Sequence, residues 1–372
     1  MSNRMRSIGL MLAAPVTSVV VAVVLSGLVL VIAGSNPFTA FGDMISNGSK
    51  LETIVDMLNK ATPLYLSGVA AAIGFRMSLF NIGVEGQYQL GGFFAAAFGG
   101  AVVLPNGIHL IAIILVAMIV GALWAGFAGF LKTACGVNEV ISTIMLNSIA
   151  TTGILAWLTV KWRHGGLSTN SGTKTIEESG WMPDITGALE LFTRDVRGRE
   201  LSGVLILAIL AGIGYHLFVN RSRLGYDLRA SGWNPFAARA GGVPPKKMVM
   251  IAMLASGAIA GLVGMVDVLT RNHRYDQNFT PEFGFKGIAV ALLGRNHPLG
   301  MVVAAMLFAF LDSSSSILQI TGSASKEIAT IMQAVIMLAA VIAYEFVSRV
   351  RAREEIRLAS LAVSGTPDGA AA

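Results

Sequence analysis

Apolar residues run along this chain in long unbroken stretches, divided by shorter polar ones. Val16–Ala33, Ile108–Leu131 and Met301–Ile320 are the cleanest of them. About 20 such residues cross a hydrocarbon core of ~30 Å as a helix. Lipid gives the backbone no partner, and a single run satisfies its own N–H and C=O groups only when helical. A membrane β-barrel would instead alternate apolar and polar positions, and these runs do not. The pattern predicts about ten helical spans, over 8–33, 52–76, 80–104, 107–131, 139–160, 201–219, 248–269, 283–295, 300–320 and 326–347. The expected fold is all-α, a polytopic transmembrane helical bundle over residues 1–350.

Two spans are irregular. The second carries Glu52, Asp56, Asn59 and Lys60 in its first half and then Pro63. Proline removes a backbone donor, so this span is expected to bend or to lie half-buried in protein. The eighth, Phe283–Gly294, has only about a dozen apolar residues, short for a crossing. It reads as a thin or broken span.

Basic residues near helix ends orient the bundle. Segment 220–247 holds Arg221, Arg223, Arg229, Arg239, Lys246 and Lys247 against one acid, Asp227. Arg4 and Arg6 precede the first span, and Arg349, Arg351, Arg353 and Arg357 follow the last. Ten crossings put all three groups on one side, the cytoplasm, so both termini are expected there. Loop 161–200 then faces out. It is rich in Gly, Ser and Thr, with six basic residues matched by six acids. Its length admits two readings, a functional cap or docking surface and a solvated insertion. Residues 351–372 read as a disordered cytoplasmic tail.

Composition agrees with the pattern. Of 372 residues 54% are hydrophobic and 13% charged, with mean hydropathy +0.68, whereas soluble domains carry about 25% charged residues. The excess of 27 Lys and Arg over 21 Asp and Glu is a topology signal and does not point to nucleic acid. Arg4 and Arg6 before Ile8–Ala33 look like a signal peptide, but the run is too long for one. A single cysteine, Cys135, reads as a small packing residue.

Catalytic patterns are missing. There is no G-x-x-x-x-G-K-[ST] to cradle ATP phosphates, no zinc-type ligand spacing and no nucleophile elbow. No enzyme activity and no bound metal are expected. Few ionisable residues sit deep in the spans, although ion-driven carriers commonly place acids there. Asp267 and Asp312 come nearest, both close to outer helix ends.

Three stretches carry more information. In Phe80–Gln89, Asn81, Glu85 and Gln87 stand between two apolar helices, and Glu85 is costly against lipid. Either the segment is a pathway or gate element, or it is a polar clasp tying helices together. Gly225–Gly242 has a short helix favoured by Pro235 and the alanines, with Ser231 as its expected cap. It reads as a docking element or as an ordinary positive-inside loop. Gly284–Gly300 is either a discontinuous helix of the kind that lines solute pathways or a tightly packed hairpin. Gly257-x-x-x-Gly261 and the series Ala122, Gly126, Gly129 read as helix packing.

At these stretches the chain resembles the permease family shared by branched-chain amino acid, ribose-type sugar and nucleoside ABC importers, over roughly residues 15–347. Asn81-Ile82-Gly83-Val84-Glu85-Gly86-Gln87 is similar to the N-I-G-x-E-G-Q segment of the nucleoside and simple-sugar branch. Asn138–Asn147 and Gly287–Gly294 also look like that branch, and the long outer insertion resembles the larger of its paired permeases. The resemblance implies a second permease subunit in a heterodimer and a cytoplasmic ATPase that binds ATP and Mg²⁺. It also implies a basic-membrane-protein-type solute receptor and residence in the bacterial inner membrane. Nucleosides lead as solute, with simple sugars the alternative and a stand-alone carrier a more distant one. It places ATPase coupling at Gly225, Arg229, Asn234, Pro235, Ala237, Ala238 and Gly241. The expected pathway residues are Asn81, Glu85, Gln87 and Asn147, whose amide suits a solute hydroxyl or base edge. The stretches 52–63, 80–89 and 283–298 are where the path is expected.

Overall fold

A computed structural model describes residues 20–162, 172–187 and 198–322, except 22, 277, 278 and 280, with scattered positions between 325 and 342. The tenth predicted span lies largely outside the described residues, and the tail 351–372 wholly so. The described residues form helices, with two isolated bridges and no named strand among them.

In chain order the helices are α1 (Val23–Ile32), α2 (Pro37–Gly48), α3 (Leu51–Phe75), α4 (Val84–Ala101), α5 (Ile108–Cys135) and α6 (Glu139–Lys161). After the loop come α7 (Val204–Arg221), α8 (Arg223–Trp233), α9 (Pro235–Ala240), α10 (Pro245–Gly261), α11 (Phe283–Leu293) and α12 (Pro298–Ile320). Helices α5, α6, α7 and α12 are long and apolar enough to cross a membrane. Helix α2 was not foreseen. Its polar residues break any apolar run, and only Ala40 and Met44 are buried, so it escapes a test based on continuous hydropathy.

The chain divides into two compact units, residues 1–47 with 314–372, and residues 48–313. In the first unit, Asn36 caps α2 by accepting from the N–H of Phe38 at 3.0 Å. Everything that follows concerns the second.

Helix α3 is the hub of that unit. Every residue from Ala61 to Gly74 is buried, so α3 lies within protein over this stretch. It is unbroken at Pro63, where Thr62 Oγ1 donates to the carbonyl of Leu58 at 2.8 Å. Helices α7, α10 and α11 surround it. Beside it, α5 and α10 touch backbone to backbone. A Cβ added to Gly257 would lie 2.3 Å from the carbonyl oxygen of Gly121. One added to Gly261 would lie 2.1 Å from that of Ala117. Small residues permit such approach where water supplies no driving force between helices. Gly126 and Gly129 pack in the same way against Leu254 and Met253. Outward, α5 presents Ile111, Leu115, Ile119, Leu123, Phe127 and Phe130.

Two helices are discontinuous. Helix α10 stops at Gly261, turns through 262–264, and ends in a π-helical turn at Asp267–Arg271. Helix α11 has 11 residues, about 16 Å at ~1.5 Å per residue, half the ~30 Å of a hydrocarbon core. Arg295 and Asn296, at φ 56° and 54°, turn the chain sharply into α12. Lys286 Nζ lies 3.5 Å from Asp312 Oδ1 across the two helices, so α11 and α12 form an antiparallel hairpin.

Part of the long loop is packed. Thr173 N–H donates to the Tyr275 carbonyl at 2.9 Å, Ile176 N–H to His273 at 2.8 Å and Met182 N–H to Leu269 at 3.0 Å. Ile176 is buried and Trp181 stacks on His273 with centroids 3.8 Å apart. His109, at the start of α5, meets Ser179 Oγ at 2.7 Å. Over 172–187 the loop is therefore a cap on one end of the helices, and the solvated-insertion reading does not hold there. Burial holds the His273 imidazole below its ordinary pKa.

Candidate functional site: a buried polar joint, a presented helix and a charged cluster

The polar residues of 80–89 converge where α4 and α11 begin. Glu85 is 6% exposed, in the first turn of α4, and its carboxylate caps α11. Oε1 accepts from the backbone N–H of Glu282 at 2.9 Å, and Oε2 from that of Gly284 at 2.9 Å. Tyr88 Oη and Gln89 Nε2 also donate to Oε1, at 2.9 and 2.6 Å. The first N–H groups of a helix lack intrahelical partners and carry its positive end. One carboxylate thus answers two helix N-termini. Gly284 is required here, because an added Cβ would lie 2.5 Å from the backbone nitrogen of Glu85.

Asn81 and Gln87 pair amide to amide. Asn81 Nδ2 donates to Gln87 Oε1 at 3.1 Å, and Gln87 Nε2 returns a bond to Asn81 Oδ1 at 2.9 Å. Asn81 Nδ2 also reaches Ser256 Oγ at 2.8 Å, and that hydroxyl donates to the Ala70 carbonyl at 2.6 Å. Asn147 clips the turn before α4, accepting from the Gly86 N–H at 2.9 Å and donating to the Ile82 carbonyl at 2.8 Å. Ser67 Oγ closes the joint on α3 by donating to the Phe283 carbonyl at 2.8 Å. The four expected pathway residues are therefore together, and their side-chain oxygens and amides bond within the chain. Such an arrangement sets the relative positions of α3, α4, α6, α10 and α11.

The stretch 222–242 forms two helices. Ser222 caps α8, accepting from Gly225 N–H at 2.9 Å, and Arg229 Nη1 reaches Asn220 Oδ1 at 3.2 Å. Gly225 has no room for a Cβ, which would lie 2.1 Å from the Phe218 carbonyl oxygen. Helix α9 is capped by Asn234, not by Ser231. Asn234 Oδ1 accepts from Phe236 and Ala237 N–H groups at 3.0 Å each, with Pro235 at the first helical position. Ser231 is buried inside α8, too early to reach the N–H groups left open by the break at Asn234. Gly241 follows the last turn of α9, and Gly242 takes φ 84°. Trp233 is 93% and Phe236 83% exposed, whereas Ala238 is buried. The end of α8 and the short helix α9 each present one large apolar ring outward on a basic segment.

A third polar region joins stretches that the sequence kept apart. Lys60 Nζ donates to Ser313 Oγ at 3.2 Å, with Asp312 and Asp56 within Coulombic range. Asp56 lies 3.5 Å from Arg199, and Arg271 3.1 Å from Asp267. Asn59 ties in the loop's end, donating to the Glu200 carbonyl at 2.7 Å and accepting from the Ser202 N–H at 3.0 Å. A pocket of about 290 Å³ opens among Asp56, Asn59, Arg199, Glu200, Thr270 and Arg271. The signal in the sequence was the four-residue spacing of Glu52, Asp56 and Lys60, a polar stripe on one face of a helix. It did not indicate Ser313 or Lys286. Among the described residues no group of His, Cys, Asp or Glu is placed to hold a metal.

Comparison with known proteins decides the family. The model of the branched-chain amino acid transport system permease component matches residues 53–341. The chain belongs to that family. This permease is 28% identical to the glucose ABC transporter permease protein TsgB13 of Haloferax volcanii, over 91% of its own length and 88% of the relative's. It is 32% identical to the guanosine ABC transporter permease protein NupP of Bacillus subtilis, over 87% and 91%. To the nucleoside ABC transporter permease protein NupB of Lactococcus lactis it is 29% identical, over 85% of each. A second Bacillus subtilis relative, the guanosine permease NupQ, is 27% identical over 69% of this chain. No solved structure matches. The permease is an ABC transporter subunit embedded in the membrane.

Proposed function

We propose that this permease carries a nucleoside, inward, across the bacterial inner membrane, as one of two permease subunits served by a separate ATPase. The observation that carries this reading is the 32% identity to a guanosine permease over 87% of the chain. The N-I-G-x-E-G-Q segment, here Asn81–Gln87, supports the same branch. That both NupP and NupQ of one organism are similar to this chain supports a paired second permease. Solute would arrive from a basic-membrane-protein-type receptor at the face capped by 172–187, with both termini and α8–α9 on the opposite, cytoplasmic side and about ten spans between.

On this reading α9 is the coupling element. Asn234, Pro235 and Gly241 define the helix, Gly225 and Arg229 anchor α8 behind it, and Ala237 lies on its presented surface. Ala238 seats it. The partner ATPase binds ATP and Mg²⁺, and its motion against α9 drives alternating access. Asn81, Glu85, Gln87 and Asn147 shape the pathway wall by fixing where α4 and α11 begin. Similarity to a glucose permease over 91% of the chain favours a second reading, a simple-sugar permease.

Reconstitution separates them. The chain, its second permease, the ATPase and the receptor in proteoliposomes should take up labelled guanosine only when ATP is supplied. ATP-dependent uptake of glucose without guanosine would favour the second reading. Flux by the purified chain alone, driven by an ion gradient and indifferent to ATP, would refute both.

A further inference from the structure

Helix α8 is packed backbone to backbone at both of its ends. In its first turn, an added Cβ on Gly225 would lie 2.1 Å from the Phe218 carbonyl oxygen of α7. In its last turn, one on Gly232 would lie 2.7 Å from the backbone of Met77, just past the end of α3. Contacts this close leave no soft side chain between the elements, and dense packing transmits displacement. Movement of α8 is therefore passed to the ends of α7 and α3 together.

The side chains beside those two contacts converge on one atom. Tyr215, one turn before Phe218 on α7, donates its hydroxyl to the Asn296 carbonyl at 2.7 Å. Arg76, next to Met77, donates from Nη2 to the same oxygen at 3.1 Å. Arg76 Nε also donates to Tyr215 Oη at 3.4 Å, which closes a triangle of three groups. Tyr215 is buried, so its hydroxyl depends on these partners.

The Asn296 carbonyl belongs to the turn between α11 and α12, and that turn is a stiff handle. An added Cβ on Gly300 would lie 2.3 Å from the Gly294 carbonyl oxygen, so the adjoining ends of the two helices move as one. Arg295 and Asn296 both have positive φ, which residues other than glycine keep only where their surroundings hold them. Asn296 Oδ1 is buried with no hydrogen-bond partner among the described residues, an acceptor that this arrangement leaves unused. Arg76 and Tyr215 thus hold the turn from outside, while Glu85 holds the other end of α11. A shift at Asn296 tilts α11 about its capped end.

We infer that Arg76 and Tyr215 are positioning residues that relay movement of α8 and α9 to the α11–α12 hairpin through the Asn296 carbonyl, and so couple ATP hydrolysis to opening of the solute path. The inference rests on the importer reading above. Its test measures ATP hydrolysed per solute molecule taken up, guanosine or glucose, by the reconstituted full complex. Tyr215→Phe keeps the ring and removes only the hydroxyl. It should raise that ratio several-fold with receptor-stimulated hydrolysis undiminished. Arg76→Met removes a charge-assisted bond, stronger than a neutral one, and should raise the ratio further. Arg76→Lys keeps a charged donor and should restore part of the coupling. A clasp that only stabilises the fold would instead lower the melting temperature and reduce uptake and hydrolysis together. That result, an unchanged ratio in both Tyr215→Phe and Arg76→Met, would overturn the relay. A wild-type complex that takes up neither solute on addition of ATP would overturn the importer reading itself.

Discussion

Replacing Glu85 by glutamine keeps the volume of the side chain and removes its charge. The carboxylate accepts four bonds, from Tyr88 Oη, Gln89 Nε2 and the N–H groups of Glu282 and Gly284. In its best orientation the new amide nitrogen takes the place of Oε2 and faces the Gly284 N–H, donor against donor. The remaining oxygen keeps the other three. One buried donor left without a partner costs about 1–3 kcal/mol. Losing the negative charge at the N-terminus of α11 adds up to about 2 kcal/mol in a partly buried site. Together these give an expected loss of about 1–5 kcal/mol. Each kcal/mol lowers the melting temperature of a 150–250-residue domain by about 2–4 °C. The purified chain in detergent should accordingly melt at least about 2 °C lower with Glu85→Gln, and lower still with Glu85→Ala, which strands both N–H groups. Glu85→Asp keeps the charge and should fall between. A glutamine variant that melts within about a degree of the wild type and transports normally would refute the capping role.

Three further outcomes follow from close packing and exposure. Gly287→Ala places a methyl group 1.9 Å from Ser67 Oγ, an overpacking cost of about 1–3 kcal/mol, so melting temperature and uptake should both fall, and Ser67→Gly in the same chain should recover part of the loss. Gly257→Val drives α10 off Gly121 and Ala125, 2.3 and 2.4 Å from an added Cβ, and should lower the melting temperature, whereas Gly153→Ala, where an added Cβ meets nothing within 4 Å, should not. Ala237→Asp on the exposed side of α9 should leave stability within about 0.5 kcal/mol while cutting ATP-dependent uptake several-fold at undiminished ATP hydrolysis. The buried Ala238 is the poorer test, because a bulky replacement there also lowers the melting temperature.

Helix ends were legible where hydropathy changes abruptly. The span expected over 52–76 is α3 at 51–75, that over 139–160 is α6 at 139–161, and that over 283–295 is α11 at 283–293. Helix α2 was not legible, since an amphipathic helix of 12 residues has no continuous apolar run to betray it. At Gly225–Gly242 the short helix was foreseen but its cap was misplaced by three residues. Ser231 and Asn234 are both good cap types, and only the break between α8 and α9 shows which of them precedes a first turn. For Glu85, both the pathway and the clasp readings satisfied the rule that a buried carboxylate needs partners. The geometry adds that those partners are the backbone of a helix some 200 residues onward.

The sequence by itself determined that this chain is helical and membrane-embedded. Run length and backbone self-satisfaction are local properties, decided within about 20 residues. Motif resemblance carried the family. The tertiary structure alone decided which polar groups meet. Glu85 pairs with Gly284, Lys60 with Ser313 and Lys286 with Asp312 because α3, α4, α11 and α12 pack at depths set by their glycines and turns. Partner choice across such separations depends on how the helices stack, and composition within any one of them does not record it.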